Sequence, residues 1–308
     1  MRLLREVDAA LDRMSTGTYG RCEVCSEDID APDLAANPLA RYCLCKLSRQ
    51  QLDALASDLK PAWRIQAALL PKPGPVVPGW DVHFRYEPIG PVSGDYCDLL
   101  TPAGQDGQAF FVVGDVSGKG VAAFLVMAHL NALLRSLLDS PLPLPELVGR
   151  ANRLLLERTL SSHYATLVCG WARDTGAVEL CNAGHCPPFV LRADGVEALE
   201  STGTPVGMLE KQSYGVSRWR LEPGDTLFLY TVGLTEARNR NGEEYGVDRL
   251  AQVVGERRAL RPRALAQACL ADLNAFFDGA ARGDDLTLMI LRRGDRGRAG
   301  PDPPHVGR

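Results

Sequence analysis

The sequence predicts an α+β domain with a short cysteine-containing region in front of it. Two observations support this prediction. From residue 80 onward, short β-rich runs stand in groups separated by longer amphipathic runs, and four cysteines crowd into residues 22–45. Grouped strands favour α+β over a strict alternation of strand and helix. The 308 residues, 45% of them hydrophobic, suffice for one large domain with a small appendage.

The segment PKPGPVVPG at 71–79 marks a domain boundary, because its prolines and glycines interrupt regular structure. We therefore expect a cysteine-containing region at 1–45 and a linker helix with its connector at 46–79. The main domain is expected at 80–294. The Gly-, Pro- and Arg-rich tail at 295–308 is expected to be disordered.

The main domain contains strand and helix patterns in a clear order. Apolar and β-branched runs predict strands at 109–115, 164–172, 177–184, 226–231 and 286–292. Helical spacing of apolar residues predicts helices at 121–138, 144–160 and 262–277. The last helix has a proline at its start, where proline is favoured.

Charge and hydropathy exclude several functional classes. The net charge is −4 and no long Lys/Arg run occurs, which argues against nucleic-acid binding. The apolar runs are too short for a membrane span, and the charged start MRLLREVDAA is unlike a signal peptide. The remaining cysteines sit mostly among apolar residues, which suits a reducing compartment. We expect a cytoplasmic protein with no membrane partner.

Acidic residues stand where predicted strands begin or end. Asp95 and Asp98 lie in VSGDYCDL, Asp115 in FFVVGDVSGKG, and Asp284 and Asp285 in RGDDLTLMI. Converging carboxylates repel one another unless a cation compensates them, and Mg²⁺ or Mn²⁺ is the natural compensator. For any single aspartate the alternative is a turn role, since Asp and Gly are common turn formers.

A phosphate loop in GDVSGKG is excluded by spacing. Three residues separate Gly114 from Gly118, where the loop requires four, and Gly120 follows Lys119 in place of Ser or Thr. The glycines instead favour a sharp turn into the helix that begins near residue 121.

Residues 64–292 resemble the PPM-type (PP2C-like) serine/threonine phosphatases of the SpoIIE/RsbU branch. The motifs that carry the resemblance are IQAALLPKP, RYEPIGPVSGDYCDL, VVGDVSGKGVAAFLVMA, ATLVCGWA, NAGHCPPFVL, GTPVGML, LEPGDTLFLYTVGLTEARNRNGEEYG and DDLTLMIL. The resemblance implies a β-sandwich flanked by helices in α-β-β-α layers. It also implies a centre of two Mn²⁺ or Mg²⁺ ions at one end of the sandwich.

The resemblance assigns roles residue by residue. Asp115 matches the aspartate that bridges both metals, and the backbone carbonyl of Val116 matches the ligand beside it. Asp95 matches an aspartate of the metal centre, and Asp284 matches a ligand of the second metal. The implied substrate is a phosphorylated regulatory protein, such as an anti-sigma-factor antagonist. The two ions would hold its phosphate and activate a water for in-line attack.

One position departs from the family motif. Where the family has Thr-Asp-Gly-Leu-Thr/Val-Glu-Ala, with the Asp as a metal ligand, this chain has Val232. Valine has no lone pair to donate, so the second metal is expected to bind weakly. Glu236, Asp285 or a water could fill the gap. The alternative is a pseudophosphatase that binds a phosphoprotein without turnover.

Lys119 and His185 each have two interpretations. Lys119 either attracts phosphate or is a solvated loop lysine. His185, within the family motif NAGHCPP, is either a general acid or a loop-packing residue, and packing is the commoner role of such a histidine.

The cysteine cluster resembles a degenerate DksA/TraR-type zinc finger. Cys22 and Cys25 form a C-x₂-C pair, whereas Cys43 and Cys45 form C-x-C, so that Lys46 occupies the expected ligand position. The cluster either binds tetrahedral Zn²⁺ with a distorted second loop or folds without metal. We expect a regulatory or oligomerising head, with a homodimer formed through the linker helix.

Overall fold

The computed structural model describes residues 2–23, 28–41, 59, 61–71, 77–102, 107–159 and 163–294. Before the main domain it contains α1 (Arg2–Ser15), α2 (Ala31–Ala36) and a helical segment, α3 (61–69). The first part of the predicted linker helix, 46–58, and the predicted tail, 295–308, lie outside the described residues.

In the described part of the main domain, ten strands form two antiparallel five-stranded sheets. One sheet has the order β1-β10-β9-β6-β7 and the other has the order β2-β3-β4-β5-β8. The strands are β1 (Trp80–Glu87), β2 (Tyr96–Leu100), β3 (Gln108–Val116), β4 (Ala165–Arg173), β5 (Ala177–Ala183), β6 (Phe189–Arg192), β7 (Gly195–Ala198), β8 (Ser217–Arg220), β9 (Thr226–Tyr230) and β10 (Leu286–Arg293). The helices are α4 (Gly120–Leu138), α5 (Leu144–Arg158), α6 (Val232–Thr235), α7 (Val247–Glu256) and α8 (Pro262–Phe277).

Helices cover the outer face of each sheet. Helices α4 and α5 pack on the β2-containing sheet, and α7 and α8 pack on the β1-containing sheet. A third apolar cluster fills the space between the sheets, with Phe111 and Val113 of β3 facing Leu229 of β9 and Met289 of β10. The predicted α+β sandwich with α-β-β-α layers is therefore confirmed.

Helix α4 lies in the helix layer that covers the β2-containing sheet. By length and composition it is apolar enough to cross a membrane, which the sequence pattern had not indicated. Its residues Phe124, Met127, Leu130 and Leu134 are nevertheless buried in the core against the β2-containing sheet. Its apolar character is therefore explained by packing.

Helix α3 also packs on the main domain. Ala62 and Leu69 contact the core under α4 and α5, Leu70 contacts the core between the sheets, and Gln66 is buried. This part of the predicted linker thus covers the sandwich directly.

Candidate active site at one end of the sandwich

Asp95, Asp115 and Val116 meet where β2 begins and β3 ends. A Cβ atom placed on Gly94 would lie 3.0 Å from the carbonyl oxygen of Val116 and 3.6 Å from Oδ1 of Asp115. The carbonyl of Gly94 also accepts a hydrogen bond of 3.3 Å from the amide of Val116. The glycine before Asp95 is therefore what lets the two chain segments approach so closely.

Two threonine hydroxyls hold the buried carboxyl of Asp95. Its Oδ2 accepts hydrogen bonds from Oγ1 of Thr231 at 2.9 Å and from Oγ1 of Thr287 at 2.5 Å. Burial raises the pKa of Asp95 well above its usual value, and the nearby carboxyl of Asp115 raises it further. No role was predicted for Thr231 or Thr287, although both stand at strand ends inside the matched motifs.

Asp115 lies in a field of neighbouring negative charge. Its pKa is raised to about 7, first because it is buried and then because Asp284 and Asp285 lie nearby, while Lys119 opposes the shift. Asp284 is therefore close enough to disfavour ionisation of Asp115, as Asp115 does for Asp95. A divalent cation with oxygen ligands would relieve this repulsion.

Lys119 is paired in this structure. Its Nζ lies 3.2 Å from Oδ1 of Asp284 and donates a hydrogen bond of 3.0 Å to the carbonyl of Gly283. The neighbouring Asp285 accepts a 2.8 Å hydrogen bond from the amide of Ile89 through its Oδ1. Both carboxylates of the Asp-Asp motif thus have partners within the chain.

Val232 is the first residue of the short helix α6 and is half-buried. A Cβ atom on the next residue, Gly233, would lie only 1.8 Å from the carbonyl oxygen of Asp285, so α6 is pressed against the Asp-Asp loop. Glu236, at the end of α6, is exposed, and its charge contributes to the raised pKa of Asp115. A carboxylate therefore follows Val232 by one helical turn, with the amide of Glu236 bonded to the carbonyl of Val232.

The carboxylates are neighbours without yet forming a coordination shell. Among the described residues, no three acidic, histidine or cysteine side chains converge closely enough to hold one ion as they stand. In this structure Thr231 and Thr287 engage Asp95, while Lys119 engages Asp284. The chemistry of the donors, hard oxygens in a negative field, still fits Mn²⁺ or Mg²⁺.

Comparison with known proteins decides the family. The family profile described as Stage II sporulation protein E (SpoIIE) matches residues 105–294, more than half of the chain. The chain belongs to the SpoIIE family. Protein IcfG of Synechocystis sp. is 28% identical over 265 residues, which cover 77% of this chain and 41% of IcfG. Phosphoserine phosphatase RsbU of Bacillus subtilis is 25% identical over 243 residues, which cover 78% of this chain and 71% of RsbU.

Solved structures share the fold of this SpoIIE-family chain. The RsbU and RsbW domains of Rv1364c from Mycobacterium tuberculosis superpose with a TM-score of 0.62 at 28% identity, covering 72% of this chain and 62% of that one. The SiaA-PP2C domain of Pseudomonas aeruginosa superposes with a TM-score of 0.67 at 20% identity, covering 78% and 97%. The predicted resemblance to PP2C-like phosphatases of the SpoIIE/RsbU branch is confirmed.

His185 is a buried packing residue of the SpoIIE-family domain. Its Nδ1 lies 2.7 Å from Oγ1 of Thr166, and its amide donates to Oδ1 of Asn182 at 2.8 Å. Burial lowers its pKa to about 4, and the nearby carbonyl of Tyr230 opposes this only in part. Nε2 has no hydrogen-bond partner within the described residues. A neutral, buried imidazole is poorly suited to donate a proton at neutral pH.

Of the four predicted zinc ligands, Cys25, Cys43 and Cys45 lie outside the described residues, and Cys22 is buried. Residues on both sides of the cluster are nevertheless joined. Arg41 forms a two-pronged ion pair with Glu23, at 2.5 and 2.6 Å, and the amide of Glu23 donates to the carbonyl of Arg41. Glu23 and Arg41 therefore lie side by side in the structure.

Proposed function

We propose that the chain is a metal-dependent protein-serine/threonine phosphatase that acts on a bacterial signalling protein. The observation that supports this best is the cluster of Asp95, Asp115 and Asp284 at one end of a PP2C-like sandwich. Burial, together with the nearby charges of Asp284 and Asp285, raises the pKa of Asp115 to about 7. A relative of similar length is named a phosphoserine phosphatase, which agrees with this proposal. The substrate class is a phosphorylated regulator, such as an anti-sigma-factor antagonist.

In this proposal Asp115, the carbonyl of Val116, Asp95 and Asp284 hold two Mn²⁺ or Mg²⁺ ions. When bound, such ions neutralise phosphate oxygens and lower the pKa of a water. Buried Asp95 is oriented by hydroxyl hydrogen bonds that fix one of its oxygens. Asp284 would have to release Lys119 in order to bind an ion, which would leave Lys119 beside the site as a positive charge for the phosphate.

In this proposal Val232 weakens the binding of the second ion. Loss of an outer partner of a metal ligand lowers metal affinity by about 10- to 100-fold, and loss of a direct ligand is expected to lower it by more. Glu236 is the carboxylate placed to compensate, because its charge already acts on Asp115. The second candidate is a pseudophosphatase that binds a phosphoprotein without turnover. It is favoured by the same valine and by the pairing of Lys119 with Asp284.

The test is hydrolysis of a phosphoserine peptide across a Mn²⁺ titration. The natural chain, Val232→Asp and the control Asp115→Asn are compared. We expect low activity at high Mn²⁺ in the natural chain, a lower Mn²⁺ requirement in Val232→Asp, and none in Asp115→Asn. Turnover in Val232→Asp but not in the natural chain would establish that the natural chain is a pseudophosphatase. Turnover in neither protein would overturn the proposal that the chain is an enzyme.

We propose further that Cys22, Cys25, Cys43 and Cys45 hold one Zn²⁺ in a regulatory head at 1–45, followed by the linker at 46–79 and the catalytic domain at 80–294. The ion pair between Glu23 and Arg41, which follow Cys22 and precede Cys43 in sequence, supports this. Metal analysis of the whole chain is expected to find zinc that Cys25→Ser loses and Cys269→Ser keeps. A cytoplasmic location and a homodimer through the linker helix complete the proposal.

A further inference from the structure

We propose that Gln66 of α3 is a positioning residue for Asp95, an inference that rests on the proposed function. Gln66 lies ahead of the predicted catalytic domain in sequence, yet its side chain is only 1% exposed. Its Nε2 donates to the carbonyl of Ser93 at 2.7 Å, and its Oε1 accepts from the amide of Ser93 at 3.0 Å. One side-chain amide thus satisfies both backbone groups of a residue two positions before Asp95.

The contact continues from Ser93 to Asp95. The amide of Asp95 donates a 3.0 Å hydrogen bond to Oγ of Ser93, which is itself fully buried. Between them, Gly94 lies so close to β3 that an added Cβ would be 3.0 Å from the carbonyl oxygen of Val116, and its own carbonyl accepts a hydrogen bond from the amide of that residue. The orientation of Ser93 therefore sets where the Asp95 backbone starts and how it meets β3.

The amide of glutamine is specifically suited to this position. Buried backbone N–H and C=O groups need partners, and the turn before β2 supplies none to Ser93 among the described residues beyond Gln66. A misplacement of about 1 Å is enough to lower the efficiency of a catalytic constellation about 100-fold. Ala62 and Leu69 fix α3 on the core, so that Gln66 holds Ser93 from a stationary support.

The chain contains a matched control at a distance from Asp95. Asn152 of α5 is also buried and makes the same kind of two-way contact. Its Nδ2 donates to the carbonyl of Leu209 at 2.9 Å, and its Oδ1 accepts from the amide of Gly207 at 2.8 Å. Replacing Asn152 by Leu removes an equivalent pair of buried hydrogen bonds at a similar side-chain volume, as Gln66→Met does for Gln66.

The experiment is calorimetric titration of the full-length chain and its variants with Mn²⁺ alone, under conditions where circular dichroism shows each variant folded. We expect the Mn²⁺ dissociation constant to rise at least tenfold in Gln66→Met and less than threefold in Asn152→Leu. Equal affinities in Gln66→Met and the natural chain, or equal losses in both variants, would overturn the proposal. If Gln66→Met does not fold, Ser93→Ala decides in its place. Ser93→Ala removes the next contact towards Asp95. An unchanged Mn²⁺ affinity in this variant would also contradict the proposal.

Failure of the proposed phosphatase function can be distinguished from failure of the positioning role of Gln66. Mn²⁺ binding without hydrolysis would contradict the phosphatase but leave the positioning role measurable by affinity. If the natural chain binds no Mn²⁺, hydrogen exchange at the amide of Asp95 becomes the criterion. Exchange at least tenfold faster in Gln66→Met than in Asn152→Leu would support positioning, and equal exchange would refute it.

Discussion

Oγ1 of Thr231 donates a 2.9 Å hydrogen bond to Oδ2 of Asp95, although 136 residues separate the two in sequence. The same hydroxyl oxygen accepts a 3.0 Å hydrogen bond from the amide of Thr287, whose own hydroxyl also reaches Asp95. Thr231 therefore joins the ends of β9 and β10 to the start of β2. It stands immediately before Val232, the position where the resemblance predicts a metal-ligating aspartate.

Thr231→Val is expected to destabilise the chain by about 1–3 kcal/mol. It leaves the amide of Thr287 without its acceptor and removes one donor from Asp95, at a similar side-chain volume. The free energy of unfolding is measured in urea. Thr235→Val is the control, because its hydroxyl makes only a 3.4 Å bond to the carbonyl of Val232. Equal losses in the two variants would contradict the role of Thr231.

Asp115 is expected to make the metal-free chain less stable as pH rises. Its folded pKa of about 7 lies above the ordinary value of 3.8, so the folded carboxyl keeps a proton that the unfolded one has lost. The stabilisation is complete below about pH 4 and is lost as pH approaches 7, by roughly 4 kcal/mol at most.

Denaturation between pH 4 and 8 in the presence of a chelator measures this effect as the difference between the natural chain and Asp115→Asn. The difference is needed because burial lowers the pKa of His83 and of His185 to about 4, and stability from these groups rises with pH up to about 6.5. Identical pH profiles of the two proteins would refute the prediction.

Gly233→Ala is expected to prevent stable folding or to shift the Asp-Asp loop. The added methyl group would lie 1.8 Å from the carbonyl oxygen of Asp285, which is backbone and cannot rotate away. Thermal unfolding is the measurement. Gly149→Ala in α5 is the control, because its Cβ would meet nothing within 4 Å, and alanine favours a helix by up to about 1 kcal/mol. A Gly233→Ala chain as stable as the natural one would show that α6 can move.

Val232→Asp is expected to lower the stability of the metal-free chain and to increase its stabilisation by Mn²⁺. Without divalent ions the new carboxylate adds to the negative field around Asp115 and lowers the melting temperature. With Mn²⁺ present, tighter binding raises it by mass action, by about 2.7 kcal/mol when the ion is at 100 times its dissociation constant. Val232→Asn, uncharged at similar size, is expected to gain less. A Mn²⁺ response equal to that of the natural chain would argue against a ligand position at 232.

Periodicity predicted the central elements well and the edges poorly. The helix expected at 262–277 is α8, and the strand expected at 109–115 is β3 within one residue at each end. The strands that were not predicted are β1, β2, β7 and β8, which are the four sheet edges, and β6. Edge strands are shorter or only partly buried, so their apolar pattern is weaker. WDVHFRYE in β1, half-buried along most of its length, illustrates this.

At the candidate site the family motifs predicted three aspartates of a metal centre. Asp115 raises the pKa of Asp95, and Asp284 raises that of Asp115, but among the described residues no three such side chains converge closely enough to hold one ion. The motifs did not predict Thr231, Thr287 or Gln66, because the role of a hydroxyl or an amide depends on which strand end or helix it faces. That information lies in the strand register and in the packing of α3, neither of which a local pattern specifies. Ion binding by these residues stays a prediction.

The antiparallel pairing of β1 with β10 has a consequence for the order in which the protein matures. The first strand of the sandwich, β1, pairs with the last strand, β10. Strand β10 follows directly after the Asp-Asp loop and carries Thr287. Pairing over such a sequence distance is slow and comes late in folding. A chain still on the ribosome, with β10 inside the exit tunnel, would hold Asp95 without the Thr287 hydroxyl and without Asp284. Synthesis of the chain and completion of the candidate site would then be separate events, and an unfinished copy would lack part of that site.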